Sequence, residues 1–164
     1  MILYLLGVVW MIAGCGVEVS AQGPGISEYD VKAAFLNKFS QFVKWPGSRP
    51  GMTVGILGED AFGDALERMM KVRRSKRVED LKGCQIIFIS KSERGNIGAI
   101  LESLAGANIL TVGETEGFAK QGGAIGFVLV GSTVRFEINA GAARRAGLNI
   151  DSQLLRLAVR VFGQ

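Results

Sequence analysis

Beyond residue 27, short apolar runs alternate with stretches whose apolar residues recur every three or four positions. The first such stretch follows Ser27. Ser27 and Asp30 have the three-residue spacing of a capping box, and the stretch predicts a helix that ends before Pro46. Lys32, Lys38 and Lys44 are expected outside its apolar stripe. That stripe consists of Val31, Phe35, Leu36, Phe39, Phe42 and Val43.

The middle of the chain predicts strands separated by helices. Cys84–Ile89 is a nearly continuous apolar run, the pattern of a strand buried on both faces, and Met52–Leu57 is a shorter one. Lys71–Val78 is interpreted as an edge strand or a loop. Asp60 is a good N-cap for a helix through Met70, with Phe62, Leu66 and Met69 directed inward. The remaining elements are predicted as helices over 94–104 and 116–120 and a strand over 109–112.

The last third predicts a hairpin followed by two helices. Ala124–Val130 and Thr133–Ile138 flank the two-residue turn Gly131-Ser132. Ala140–Ala146 is predicted as a helix that stops at Gly147. The last helix is expected over Asp151–Phe162, burying Leu154, Leu155, Ala158, Val161 and Phe162. This order predicts one α/β domain of three layers, helices on both sides of a mainly parallel sheet with an antiparallel C-terminal hairpin.

The first residues have the pattern of an export signal. Ile2–Ala13 is an uncharged apolar run, shorter than the roughly 20 residues that span a bilayer as a helix. Val19-Ser20-Ala21 places small residues before a cleavage point between Ala21 and Gln22. The sequence therefore divides into a signal peptide over 1–21, a linker over 22–27 and the domain over 28–164, with export to the periplasm.

Two alternatives stay open for this segment. It could remain as an uncleaved helix. Ile12–Cys15 also has the pattern of a lipobox, in which Cys15 would be lipidated and would begin a tethered protein. After cleavage at Ala21, Cys84 is the one remaining cysteine, and we expect it to be a buried and inert thiol.

The composition excludes several kinds of chemistry. The 164 residues contain no histidine and two cysteines, which excludes histidine-based triads, histidine metal sites and four-cysteine cages within one chain. Gly58–Gly63 lies between a strand and a helix but lacks the lysine of a phosphate-binding loop. Its carboxylates, with Asp64, are better explained by capping and solvent exposure. We therefore predict no catalytic, cofactor-binding or metal-ligating residue.

The net charge of the chain is +4, and its basic residues cluster in two places. Five cations lie within Lys71–Arg77, and Arg144-Arg145 forms a second, weaker spot. An exported protein does not meet nucleic acid as a partner. The basic run would then contact the acidic face of a protein or anionic lipid headgroups, or it is a solvated strand with no partner. Arg73, Arg74, Arg144 and Arg145 are the candidate partner-binding residues.

The residues taken together resemble the YfiR family of bacterial periplasmic proteins, and the resemblance covers residues 28–162. No single segment is decisive, but their collinear order is specific. The matching segments are Tyr29–Leu36, Phe39 with Phe42–Pro46, Ile56–Gly58, Phe62–Leu66, Leu81–Ser90, Ile109–Val112, Val134–Asn139, Ala146–Ile150 and Leu154–Ala158.

The resemblance implies a non-enzymatic α/β regulator without a cofactor. It would restrain an inner-membrane diguanylate cyclase or sensor kinase through the periplasmic domain of that partner, and so tune cyclic di-GMP and biofilm formation. The alternative is a small-molecule- or lipid-binding envelope module without a cyclase; a homodimer stays open.

The family's founding member uses cysteine pairs in a redox response, which Cys84 alone cannot reproduce. Gln85 also stands where relatives often have histidine, and Met70–Val78 is shorter than expected.

Overall fold

A seven-stranded sheet organises the part of the chain that the computed structural model describes, residues 25–47 and 51–164. The predicted signal peptide, its cleavage point at Ala21 and Gln22, and Cys15 lie outside the described residues. The helices are α1 (Glu28–Phe42), α2 (Ile97–Ser103), α3 (Ala140–Arg145) and α4 (Ser152–Leu157), with 3-10 turns at Val78–Leu81 and Lys91–Glu93. The strands are β1 (Val43–Lys44), β2 (Thr53–Leu57), β3 (Lys71–Ser75), β4 (Ile86–Ile89), β5 (Leu110–Gly113), β6 (Ile125–Val130), β7 (Thr133–Asn139), β8 (Asn149–Ile150) and β9 (Arg160–Phe162).

The order of the large sheet is β3-β2-β4-β5-β6-β7-β9. Its first five strands are parallel, β7 is antiparallel to β6, and β9 is parallel to β7. The chain leaves β2 toward one edge and later continues from β4 toward the other, which makes the β2–β4 boundary the switch point of a doubly wound sheet. A separate antiparallel pair joins β1 to β8.

Both faces of the sheet are covered, which confirms the three-layer α/β prediction. On one side α1 packs Leu36 and Phe39 against the sheet residues Phe88 and Phe136, and the Phe39 and Phe136 ring centroids are 5.1 Å apart. On the other side lie the 3-10 turn at Val78–Leu81, α2 and Phe118. Of the helices in the described ranges, none combines the length and apolarity needed to cross a membrane.

The start of α1 is formed as predicted. The Ser27 hydroxyl accepts a hydrogen bond from the Asp30 backbone N–H at 3.1 Å, and the Asp30 carboxylate accepts one from the Ser27 N–H at 3.0 Å. The prediction for Lys32 is wrong, because this residue is only 4% exposed. Its spacing from Phe35, Leu36 and Phe39 places it on the buried stripe itself.

The helix predicted over Asp60–Met70 is absent, and consecutive turns take its place. Gly63 has a φ of +57°, which interrupts a right-handed helix, and its carbonyl accepts a hydrogen bond from the Arg74 guanidinium at 3.0 Å. Phe62 and Leu66 are nevertheless buried as predicted, whereas Met69 is 40% exposed. The segment therefore covers the sheet without being helical.

Two further helix predictions are wrong. Residues 116–120 form turns around Gly117, whose φ is +72°. The last helix ends at Leu157, because the chain then extends and pairs with the outer edge of β7 as strand β9. The Val159 N–H donates to the Phe136 carbonyl at 2.9 Å. That bond begins a main-chain ladder which a continued helix could not make.

The short helix α4 yields a stability prediction. Leu154 is fully buried, whereas Leu155 is only partly buried and Leu157 is 47% exposed. Leu154→Ala should lower the free energy of unfolding by about 2–5 kcal/mol, and Leu157→Ala, in the same helix, by about 0.5 kcal/mol or less. Urea denaturation of both variants measures the difference, and equal losses would contradict this placement of α4.

The thiol of Cys84 should be protected in the native protein. This side chain has no exposed surface, and burial raises the pKa of the thiol, which reduces the reactive thiolate at neutral pH. We expect a bulky aromatic disulfide to label Cys84 only as fast as the protein unfolds, with prompt labelling in denaturant as the control. Rapid labelling of the folded protein would contradict the burial of Cys84.

Candidate functional site

A cleft of about 640 Å³ opens at the carboxyl end of the parallel strands. The first half of α1 forms one wall with Tyr29 and Lys32, and the start of a 3-10 turn contributes Lys91. Strand β6 contributes Phe127 and Leu129. Ligands of doubly wound proteins bind at this end of the sheet, so the cleft is the first candidate for a functional site.

Glu114, directly after β5, is the centre of the polar contacts in this cleft. Its carboxylate accepts hydrogen bonds from the Tyr29 hydroxyl at 3.0 Å, from the Lys91 backbone N–H at 3.0 Å and from the Lys32 ammonium at 2.6 Å. Only 6% of its side chain is exposed. A buried carboxylate with three donors is well compensated for its loss of water.

Lys32 is the cationic member of the network. Its side chain is 5% exposed, and its ammonium lies 2.5 Å from a carboxylate oxygen of Glu28, one helical turn earlier, and 4.5 Å from the centre of the Tyr29 ring. Burial, followed by the negative charge of Glu114, raises the pKa of Tyr29 above its ordinary value. The tyrosine therefore stays protonated and serves as a donor.

The local sequence explains how these groups meet. Glu28 and Lys32 are four residues apart on α1 and so share one face of the helix. Glu114 reaches them because it directly follows β5. At the last residue of that strand, Gly113, a Cβ atom would lie 2.5 Å from the Phe118 ring. A glycine is required there, because Phe118 closes the core directly beneath this position.

This arrangement holds its side chains in fixed positions. The Lys32 nitrogen is bonded to the carboxylates of Glu28 and Glu114, so it is not free to act as a nucleophile. Within the described ranges, no three Asp, Glu or Cys side chains are grouped so that they could hold a metal ion. The network fastens α1 to the end of β5 and forms the floor of the cleft.

The two arginines predicted on β3 have different surroundings. Successive residues of a strand point to opposite faces, so Arg73 and Arg74 do not share a surface. Arg74 forms ion pairs with Asp60 and with Glu67, the latter at 2.5 Å, and these carboxylates raise its pKa. Arg73 is exposed, and among the described residues it donates only to the Asp80 carbonyl, at 3.3 Å.

The second predicted basic spot lies at the other end of the sheet. Arg144 and Arg145 are exposed on α3, beside the edge strand β9, and Arg144 donates to the Gly163 carbonyl at 2.5 Å. Strand β3 is the opposite edge of the same sheet. The structure therefore does not bring the two pairs of arginines together.

The sequence reasoning missed the buried network. The position of Lys32, three, four and seven residues before Phe35, Leu36 and Phe39, could have revealed its burial. Its partner could not be found in this way, because Glu114 is 82 residues further along the chain. Only the packing of α1 over the end of β5 brings the two charges together.

We predict that the ion pair between Lys32 and Glu114 is costly to break from one side. Lys32→Met should lower the free energy of unfolding by about 3 kcal/mol or more, because it leaves the Glu114 carboxylate buried without its cation. Adding Glu114→Gln should restore much of that loss. Lys38→Met, on the exposed face of α1, is the matched control in urea denaturation. A double variant as unstable as the single one would contradict the role of the charge.

Two solved structures share the fold at 12% sequence identity. One is a conserved domain protein from Vibrio cholerae O1 biovar eltor, with a TM-score of 0.59. The other is an ABC domain in complex with L-Trp from Streptococcus pneumonia, with a TM-score of 0.61. Each comparison covers 82% of this chain, and the chain spans 60% of the length of each of those proteins. At this identity, the likeness concerns the fold alone.

A family model gives the more specific result. The model described as YfiR/HmsC-like matches residues 29–159, which include every strand of the large sheet except β9 and both halves of the Lys32–Glu114 pair. The match extends over most of the chain and agrees with the resemblance found in the sequence. The chain therefore belongs to the YfiR/HmsC-like family.

Proposed function

We propose that this protein is a non-enzymatic periplasmic regulator that restrains an inner-membrane diguanylate cyclase or sensor kinase by binding its periplasmic domain. The observation that carries the proposal is the family match over residues 29–159. Loss of this restraint would raise cyclic di-GMP and promote biofilm formation. The export signal predicted over residues 1–21 would deliver the protein to the compartment of that partner.

The chemistry of the cleft is consistent with a binding role. Its buried ionic groups, Lys32 and Glu114, are used in bonds to each other and to Glu28, Tyr29 and Lys91. A network satisfied in this way rigidifies a surface, whereas a catalytic group needs a proton or an electron pair that it can transfer. We therefore assign the protein to regulators and not to enzymes.

Of the two candidate arginines on β3, Arg73 is the better suited to contact an acidic partner. Its guanidinium has a carbonyl and no carboxylate within bonding distance in the described residues, so its charge is not neutralised. Arg74 is already neutralised by Asp60 and Glu67. Arg144 and Arg145 would form a separate contact at the other edge of the sheet.

A second candidate function is a small-molecule-binding envelope module that acts without a cyclase. The cleft of about 640 Å³ favours it, because this volume lies in the range of ligand pockets and the cleft has an aromatic and an aliphatic wall. The two functions differ in one measurable respect. Deletion of the gene changes cyclic di-GMP only if a cyclase or a kinase that controls one is restrained.

The central prediction concerns Arg73. We expect cyclic di-GMP and surface attachment to rise in the deletion strain, and Arg73→Glu to reproduce part of that rise while the protein stays folded and abundant. A rim contact of this kind contributes on the order of 1 kcal/mol or less. Arg74→Glu is unsuitable as a test, since it would place a third carboxylate beside Asp60 and Glu67.

Lys120→Glu provides the matched control, because it makes the same charge reversal at an exposed turn away from β3. A pull-down from solubilised membranes should recover a cyclase or a sensor kinase with the parent protein and with Lys120→Glu, and less of it with Arg73→Glu. If deletion leaves cyclic di-GMP unchanged and no such protein is recovered, the regulator proposal is wrong and the small-molecule-binding module takes its place.

A further inference from the structure

Strand β3 is an edge strand with one open side. It pairs with β2, and within the described residues no other strand pairs with it. The Gly58 N–H donates to the Ser75 carbonyl at 3.1 Å, so the peptide groups of Ser75 are directed at β2. Because peptide groups alternate along a strand, those of Val72 and Arg74 are directed outward. The open side therefore presents backbone donors and acceptors that have no partner in the part of the chain that the structure describes.

The cations around this open side are not all neutralised. Arg74 is paired with Asp60 and Glu67, Arg77 lies 4.0 Å from Glu79, and Asp80 accepts a hydrogen bond from the Ser75 hydroxyl. Three cations have no carboxylate within 4 Å in the described ranges. These are Lys71, Arg73 and Lys76.

Two of these cations lie on one face of the strand. Lys71 and Arg73 are two residues apart, so their side chains leave the same side of the sheet. A strand added beside β3 would place its own residues opposite them at the same spacing of two. Opposite charges in such cross-strand positions stabilise the pairing, and like charges oppose it.

The positive charge of the β3 edge also favours one of two binding partners, a second copy of this chain or a different, acidic protein. A second copy of this chain that paired through the same edge would bring Lys71 and Arg73 close to their own equivalents, and the repulsion would oppose that contact. An acidic chain meets no such cost. The edge therefore favours a different protein whose extended segment carries carboxylates.

We propose that β3 is a docking edge for an extended acidic segment of a protein partner. The segment adds a strand to the sheet by bonding to the outward peptide groups of Val72 and Arg74, and it places Asp or Glu at alternate positions opposite Lys71 and Arg73. This inference rests on the proposed function, since it describes how the regulated partner is held. Strand addition supplies main-chain affinity, and the alternate carboxylates supply specificity.

The probe for the test is a fluorescein-labelled peptide of alternating Glu and Val, added to the full mature protein. We expect binding that weakens with salt, and slower hydrogen exchange at the amides of Val72 and Arg74. The double variant Lys71→Glu, Arg73→Glu should weaken binding at least tenfold. Lys120→Glu should leave it unchanged, and a peptide with Lys in place of Glu should not bind.

Backbone methylation separates strand addition from simple charge attraction. Two peptides are compared, N-methylated either at all Glu or at all Val positions, because only one set of amides can face β3. A difference of tenfold or more in their affinities is expected. Equal affinities would overturn the proposal. A lipid contact is tested with phosphatidylglycerol vesicles. If the vesicles bind through Lys71 and Arg73, and the peptide does not protect the Val72 and Arg74 amides, the proposal is overturned in favour of a lipid contact.

The failure of this inference can be told from the failure of the proposed function. If the peptide protects Val72 and Arg74 while deletion of the gene leaves cyclic di-GMP unchanged, the docking edge stands and the partner is not a restrained cyclase. If cyclic di-GMP responds to deletion but these amides gain no protection, the regulator stands and the partner is held elsewhere.

Discussion

The need to cover both faces of a parallel sheet is the constraint on which this structure depends. Strand β4 directs Phe88 to one face and Ile87 and Ile89 to the other, and all three are buried. Such a strand is stable only between two layers, because each exposed face would cost the free energy of hydrating its apolar side chains. Helix α1 supplies one layer, and α2 with Phe118 supplies much of the other.

This constraint also explains where the ionic network lies. The layers cover the middle of the sheet, and the carboxyl ends of the strands remain beside a cleft whose floor is formed by Lys32 and Glu114. The pair joins the first helix to the fifth strand at the point where apolar packing gives way to solvent. Its desolvation is offset by the bonds from Tyr29 and Lys91, so it orients α1 more than it adds to the free energy of folding.

The two edge strands of the sheet, β3 and β9, differ in charge, and this difference matters for binding. Strand β9 covers the outer side of β7 with three residues that follow α4. Strand β3 covers the outer side of β2 in the same way. Arg160 of β9 lies 3.7 Å from Glu137, whereas Lys71 and Arg73 of β3 have no carboxylate within 4 Å in the described part of the chain. Cations on an edge prevent indiscriminate pairing, and they leave the edge open to an acidic strand. In the regulator proposed here, the β3 edge therefore selects its partner by charge.

Several features can be read from the sequence: the three-layer α/β class, the strands β2 and β4 to β7, and the capped start of α1. They depend on local periodicity and on turn residues. Tertiary contacts are needed to explain the turns at 60–70 and 116–120 and the strand Arg160–Phe162. Their backbone partners, such as Arg74 for Gly63 and Phe136 for Val159, are distant in the sequence. The same holds for the site: Lys32 lies on a stripe that can be read from α1, but Glu114 meets it only when the helix packs across the sheet. A pattern of apolar positions records which residues are buried, whereas the pairing of charges depends on which segments the fold brings together.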